Sequence, residues 1–382
     1  MRKFIITLQL ISALLLISAC STTAEATPTT DIDSEVSVIV ETAPATLAPT
    51  STLTPTITAT PTITPTPTIT PTPLPTDSPD QPLPVEEISA NLGINHQIYQ
   101  RMQPESGSAA LPIFQTGEDV VDYKEEYILE PDTLYINCDE KYTASNNIDL
   151  CLIPGHGWAE AYRFSPVTPD DFQGVEILQQ PATDFAWVVQ RELTPYVRPS
   201  FYESLSNTTF LRYDRVRIFE AELVGKTTWY RIGDSLWVPA TTLSVADVDR
   251  EKPANIPTAR WIAVDIWEQV VTVYENNTLI FATLTSTGDD YKLTDTGRYQ
   301  IYMTYETTTM SGGEGEDYYY LERVPWTMYF DGGNALHGAY WHSSFGYPRT
   351  HGCVNLSMAD AHWLFDWASL GDYVYVFDSR EE

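Results

Sequence analysis

Cys353 stands between Gly352 and Val354-Asn355, directly after Thr350-His351, and a second His-Gly pair, His337-Gly338, precedes it. A thiol set among glycines, with a histidine within folding reach, has the parts that nucleophilic catalysis requires. The thiolate is the attacking species, so a base or a cation must help to form it. Gly352 lets the main chain pass close to a substrate, which suits N–H groups aimed at a developing oxyanion. The chemistry expected is acyl transfer. Cys353 attacks an amide carbonyl, and His337 takes the thiol proton and later handles the proton of the amine.

His337, followed by Thr350-His351-Gly352-Cys353-Val354-Asn355, resembles the signature of the L,D-transpeptidase catalytic domain. Thr294-Asp295-Thr296-Gly297-Arg298-Tyr299 resembles the Thr-Pro-x-Gly-x-aromatic turn of that family, with Asp295 in place of the usual proline. Val324-Pro325-Trp326-Thr327-Met328-Tyr329-Phe330 resembles the strand that leads into the first histidine. The likeness covers roughly the last third of the chain. It implies a mainly β, sandwich-like catalytic domain with one short helix. It also implies that the Gly338 carbonyl holds the His337 tautomer, in place of the acid of a Ser-His-Asp triad. The N–H groups of Gly352 and Cys353, with that of His351, are expected to stabilise the oxyanion; His351 is otherwise expected to support the site rather than react. Tyr318, Tyr319, Trp341, Thr350 and Asn355 are the expected substrate-binding residues, Thr350 and Asn355 also bracing the loop by side-chain-to-backbone bonds. The implied donor is a peptidoglycan tetrapeptide stem, cut between the L-centre of its diamino acid and the terminal D-alanine. An amine of a neighbouring stem then resolves the thioester into a 3→3 cross-link, whereas water gives carboxypeptidase activity. A role in cell-wall organisation and cell shape goes with that chemistry. No cofactor and no metal are implied, and a carbapenem is expected to acylate the same thiol.

The N-terminus supplies an address. Arg2 and Lys3 precede an apolar run from Phe4 to Ile17 that ends in Ser18-Ala19-Cys20, the layout of a secretory signal. The run is short for a membrane span. Ile17-Ser18-Ala19-Cys20 resembles a bacterial lipobox, so residues 1–20 are read as a lipoprotein signal peptide with Cys20 the lipidated residue. The alternative is an ordinary cleaved signal. Residues 21–84 are a Thr/Pro-rich linker whose composition cannot build a core. About sixty extended residues, at roughly 3 Å each, would let a domain reach on the order of 100 Å from the membrane towards cell-wall polymer. The expected location is the cell envelope, facing the wall. A net charge of −31 excludes nucleic acid as a partner and disfavours anionic lipid surfaces. With 43% apolar and 12% aromatic residues, the rest of the chain can form real cores.

Of the four cysteines, Cys20 is assigned to lipid and Cys353 to chemistry. Cys138 and Cys151 are close in sequence in an exported chain, where disulfides persist. A bridge would stabilise by about 3 kcal/mol in the chain-entropy model; the alternative is two buried thiols.

The elements that must position these groups read as strands. Residues 85–185 form a β-rich domain without an assigned role, with short strands at Leu111-Pro112-Ile113-Phe114 and Thr133-Leu134-Tyr135-Ile136-Asn137. Residues 186–250 resemble a bacterial Src-homology-3-like module. In it Trp229-Tyr230-Arg231-Ile232 and Leu236-Trp237-Val238-Pro239-Ala240 are joined by a Gly233-Asp234 hairpin signal. Its tryptophans either bind wall or are simply core. Residues 258–379 are the catalytic domain. Strands are expected at Trp261–Asp265, Gln269–Tyr274, Leu279–Leu284 and Tyr299–Met303. A helix is expected to be capped by Ser357, with Asp360 three residues on. Thr307–Leu321, glycine-rich and acidic, is expected to be a mobile flap that does not pack as a strand. His156-Gly157-Trp158 reads as a turn, His342 as a loop residue, His362 as a helix-face residue and His96 as loosely packed.

Three rivals are weighed against the transpeptidase. Zinc could take His337, His342, His351, His362 and Cys353, although none falls at a recognised ligand spacing. A non-catalytic wall-binding lipoprotein would not need its thiol. A general cysteine peptidase would cleave L,L-peptides.

Overall fold

A computed structural model describes residues 83–88, 101–104, 111–129, 133–289, 291–313 and 318–381. Cys20 with the expected signal peptide, nearly all of the Thr/Pro-rich linker, His96 and residues 314–317 lie outside the described residues. The described chain is mainly β with one α-helix, Met358–Trp367. No helix among the described residues is long and apolar enough to cross a membrane.

Val270–Glu275 pairs antiparallel with Arg260–Asp265 on one side and with Thr278–Leu284 on the other. Asn276 and Asn277 turn the second hairpin with φ of 52° and 61°, the positive values that a tight two-residue turn demands. Tyr373–Phe377 lies parallel to Arg260–Asp265, and Gly297–Gln300 closes that edge. At the opposite edge stand Val175–Ile177 and then Val85–Glu87, which complete seven strands. A boundary drawn at residue 185 therefore divides the sequence but not the hydrogen-bonded sheet, because long-range pairing leaves no local signal.

Alternation along these strands feeds two cores. Ile262, Val264, Val271 and Val273 face a second sheet, and Trp261, Ala263, Val270 and Tyr274 face Phe172, Phe185, Trp187 and Phe345 on the other side. The second sheet contains Met303–Gly312, Tyr319–Asp331, Asn334–Gly338 and Val354–Leu356, with Thr133–Tyr135 added parallel to Tyr319–Leu321. Its apolar face, including Val324, Trp326, Met328, Leu336, Val354 and Leu356, meets the first sheet and the helix in one core.

The expectation that Thr307–Leu321 does not pack as a strand fails. The hydrogen-bonded ladder runs on from Met303↔Tyr329 to Gly312↔Tyr319, so the glycine-rich segment is strand up to its acidic tip. Cross-strand partners supply what its own composition lacks.

The helix begins at Ser357, whose hydroxyl accepts from the Asp360 N–H. Asp360 is fully buried and receives three donors: Ser357 Oγ at 2.7 Å, Thr283 Oγ1 at 2.6 Å and Gly174 N at 2.7 Å. One carboxylate thus ties the helix to the seven-stranded sheet. Burial pushes its pKa up to about 6, against those hydrogen bonds.

Residues 185–246 enclose a smaller core of Ala186, Val188, Leu193, Val216, Ile232, Val238 and Leu243. Trp229 and Trp237 lie on the paired strands Thr227–Gly233 and Leu236–Pro239 and are buried, so both indoles are core. Residues 111–164 carry another core, to which Tyr320 of the long hairpin contributes. Within it Cys138 and Cys151 are bonded to each other, with α-carbons 5.0 Å apart.

Candidate active site

Asn334–Gly338 and Val354–Leu356 are neighbouring parallel strands, with Leu336 opposite Val354 and His337 opposite Asn355. Cys353 precedes the second strand by one residue. By the two-residue alternation of side chains it falls on the same face as Asn355 and His337, its α-carbon about 8 Å from that of His337 by strand spacing.

His337 is buried, and its Nδ1 lies 3.2 Å from the Gly338 carbonyl. A carbonyl can only accept, so Nδ1 carries the proton and Nε2 keeps a lone pair. Burial drives the imidazole pKa down to about 4, so the ring is neutral at pH 7. The Cys353 thiol is half-buried and donates to the Gly333 carbonyl at 3.9 Å. Burial pushes the thiol pKa up to about 11, opposed by a hydrogen bond from the Ala335 main chain. At rest the pair is therefore neutral thiol and neutral imidazole, with Sγ turned to the Gly333 carbonyl.

The loop before Cys353 is held from several sides. Thr350 Oγ1 donates to the Cys353 carbonyl at 2.6 Å and accepts from the Gly352 N–H at 3.1 Å. The main-chain N–H groups of Arg349 and Thr350 both donate to the Thr287 carbonyl. Thr294 Oγ1 donates to the Gly352 carbonyl at 2.9 Å. Gly352 has φ of +116°, and a Cβ there would lie 2.6 Å from Asn334 Oδ1. The positive φ calls for glycine, and a Cβ would in addition push the Asn334 amide aside.

Several expectations change. Thr350 and Asn355 are buried and bonded inwards, so they brace the site and do not line a substrate surface. The Gly352 N–H is engaged by Thr350, which removes it as an oxyanion donor. His342 is not a plain loop residue. It is buried, accepts from the Ser344 N–H through Nδ1 and lies with Nε2 2.9 Å from the Asn355 side-chain amide. With Nδ1 accepting, the neutral ring carries its proton on Nε2; turning over the Asn355 amide, whose oxygen is buried without a partner among the described residues, puts an acceptor there in place of Nδ2. Burial pushes the His342 pKa down to about 3.

Tyr319 is half-buried and stacks on His351, with ring centroids 5.3 Å apart, and His351 itself is exposed. The Tyr319 phenol pKa is raised by burial first and then by the neighbouring Cys353. Trp341 is half-buried with its ring 5.6 Å from His337. Tyr318 turns away from the thiol, its hydroxyl 3.0 Å from His156 Nε2. His362 lies on the helix beside Trp326, 3.6 Å from Asp366. Among the described residues no three His, Cys, Asp or Glu side chains gather as a metal site.

Sequence reasoning missed Thr294, Thr287 and His342 as supports of the loop. It also missed Tyr135, whose hydroxyl donates to the Trp341 carbonyl at 3.2 Å across 206 positions of sequence. The Thr294 side chain carried a signal, since it heads a motif already singled out; the others carried none.

Residues 259–376 match the family model of the L,D-transpeptidase catalytic domain, YkuD. No curated protein matches this chain. Solved structures that resemble it include an L,D-transpeptidase from Mycobacterium smegmatis, 23% identical, covering 41% of this chain and 76% of that one at a TM-score of 0.31. Another is the catalytic domain of the E. faecium L,D-transpeptidase, 25% identical, covering 31% and 96% at a TM-score of 0.29. A third is an LD transpeptidase in complex with imipenem, 20% identical, covering 55% and 93% at a TM-score of 0.31.

Proposed function

We propose that this chain, which carries an L,D-transpeptidase catalytic domain over residues 259–376, joins peptidoglycan stem peptides through a thioester on Cys353. The single supporting observation is the register that brings Cys353 and His337 to one face of adjacent strands, with the Nδ1–H of His337 committed to Gly338.

The gap between a thiol at about 11 and an imidazole at about 4 argues against a resting ion pair. Both shifts favour the neutral pair over the charged one. Proton transfer is therefore coupled to attack. Cys353 Sγ rotates from Gly333 to His337 Nε2 and gives up its proton as it bonds to the donor carbonyl carbon. The oxyanion is met by the main-chain N–H of Cys353, with that of His351 beside it. His337 returns the proton to the departing D-alanine amine, leaving the thioester. The amine of a second stem then attacks, His337 takes its proton, and the thiol is regenerated as the new amide forms. Water in place of that amine gives the trimmed stem. Anchoring through a lipidated Cys20, with the Thr/Pro-rich linker as spacer, belongs to the same reading.

The test is incubation of the purified protein with disaccharide-tetrapeptide and mass spectrometry of the products. Loss of the terminal D-alanine together with a cross-linked dimer is expected, and Cys353→Ala should give neither. Trimmed monomer alone would make the enzyme a carboxypeptidase. An unchanged substrate would leave a wall-binding protein without catalysis.

A further inference from the structure

The long hairpin that carries Tyr319 is gripped by residues far outside the span matched to the catalytic domain. Thr133, Leu134 and Tyr135 pair in parallel with Tyr319, Tyr320 and Leu321. Asn137 N donates to the buried Glu322 carboxylate at 2.6 Å, and Arg323 pairs with Asp139. A cavity of about 220 Å³ remains at this joint, between Leu152, Pro154 and the hairpin.

The most specific contact is His156, at the turn between the strands Asp149–Ile153 and Gly157–Glu160. Its Nε2 lies 3.0 Å from the Tyr318 hydroxyl and its Nδ1 2.9 Å from the Tyr127 hydroxyl. Tyr320 packs edge-on against the ring at 5.5 Å and donates its hydroxyl to the Pro154 carbonyl. A neutral imidazole offers one donor and one acceptor, so one tyrosine accepts from it and the other donates to it. Nε2 thus holds Tyr318, while Nδ1 ties the ring to Tyr127 of the same lobe. The next residue, Tyr319, points to the opposite face of the strand, where it stacks on His351 beside the thiol.

We propose that residues 111–164 are a positioning lobe for the catalytic site, in which His156 clamps Tyr318 and thereby holds Tyr319 over Cys353. His156 is a positioning residue and touches no reacting atom. The lobe sets how firmly the tyrosine wall closes on an extended stem peptide, and it leaves the chemistry of the thiol unchanged. The specificity role rests on the transpeptidase reading; the clamp itself does not.

The test uses His156→Ala, His156→Gln and Tyr318→Phe in the full chain. Gln keeps a donor and an acceptor, and Tyr318→Phe removes only the hydroxyl. Iodoacetamide labelling of Cys353 at pH 9 reads the wall without any substrate. Loosening of Tyr319 in His156→Ala and Tyr318→Phe is expected to speed labelling about tenfold, the weight of one lost hydrogen bond. His156→Gln should restore the slow rate. Equal labelling in all four proteins, with native circular dichroism, would overturn the clamp. With disaccharide-tetrapeptide, KM should rise about tenfold in His156→Ala while kcat changes less than about twofold. A parallel fall in kcat would mean general disruption and would overturn the positioning role. Should the unmodified protein turn over no peptide at all, the transpeptidase reading fails, and the labelling arm still decides the clamp.

Discussion

The resting state of the thiol makes a sharp prediction that needs no knowledge of the substrate. Burial lifts Cys353 from an ordinary 9.0 to about 11. At pH 7 the thiolate fraction is then about one in ten thousand, against about one in a hundred for an unperturbed thiol. A more basic thiolate is also a better nucleophile, by about 0.4–0.5 log units per pKa unit, which returns roughly six- to tenfold. Iodoacetamide should therefore modify Cys353 about tenfold more slowly at pH 7 than it modifies a free cysteine. The shape of the profile is more telling than the rate. Labelling, followed by intact mass, should climb tenfold per pH unit from pH 6 to about pH 10 without a plateau. An inflection below pH 8 would reveal a thiolate preformed beside an imidazolium and refute the neutral-pair resting state. His337→Ala should leave that slope intact, because the imidazole holds no proton from the thiol at rest. The same variant should lower turnover of disaccharide-tetrapeptide by about 10²–10⁴, the weight of a lost general base.

Gly352→Ala should lower turnover by about 5- to 150-fold while the protein still folds, because φ of +116° adds about 1–3 kcal/mol of strain at the loop; turnover within twofold of normal would contradict this. Asp360→Ala should destabilise by about 3 kcal/mol or more in urea, leaving Ser357, Thr283 and Gly174 donors without their acceptor. Because Asp360 titrates at about 6 folded and at an ordinary 3.8 unfolded, its contribution is complete below pH 3.8 and is lost as pH rises through 6. The stability difference between Asp360→Asn and the unmodified protein should shift by about 3 kcal/mol across that window, in favour of Asn at higher pH. Cys138→Ser with Cys151→Ser should lower stability by about 3 kcal/mol for a loop of this length, seen as a drop in Tm. It should also loosen the lobe that carries His156, raising Cys353 labelling in step.

What the amino-acid sequence determined on its own was local. The Asn276-Asn277 turn, the Ser357 cap with Asp360 and the alternation of Trp261–Asp265 act over a few residues, so their physics is present in the string itself. The fold class could be read from the same short-range patterns. The pairing of Thr133–Tyr135 with Tyr319–Leu321, the inward turn of Thr350 and Asn355, the burial of His342 and the hold of His156 on Tyr318 were decided only in three dimensions. Each joins groups with no local constraint between them, and a side chain's partner across a core is set by how whole sheets stack. The glycine-rich hairpin makes the point most plainly: its composition argues against a strand, and the hydrogen bonds of its neighbour make it one.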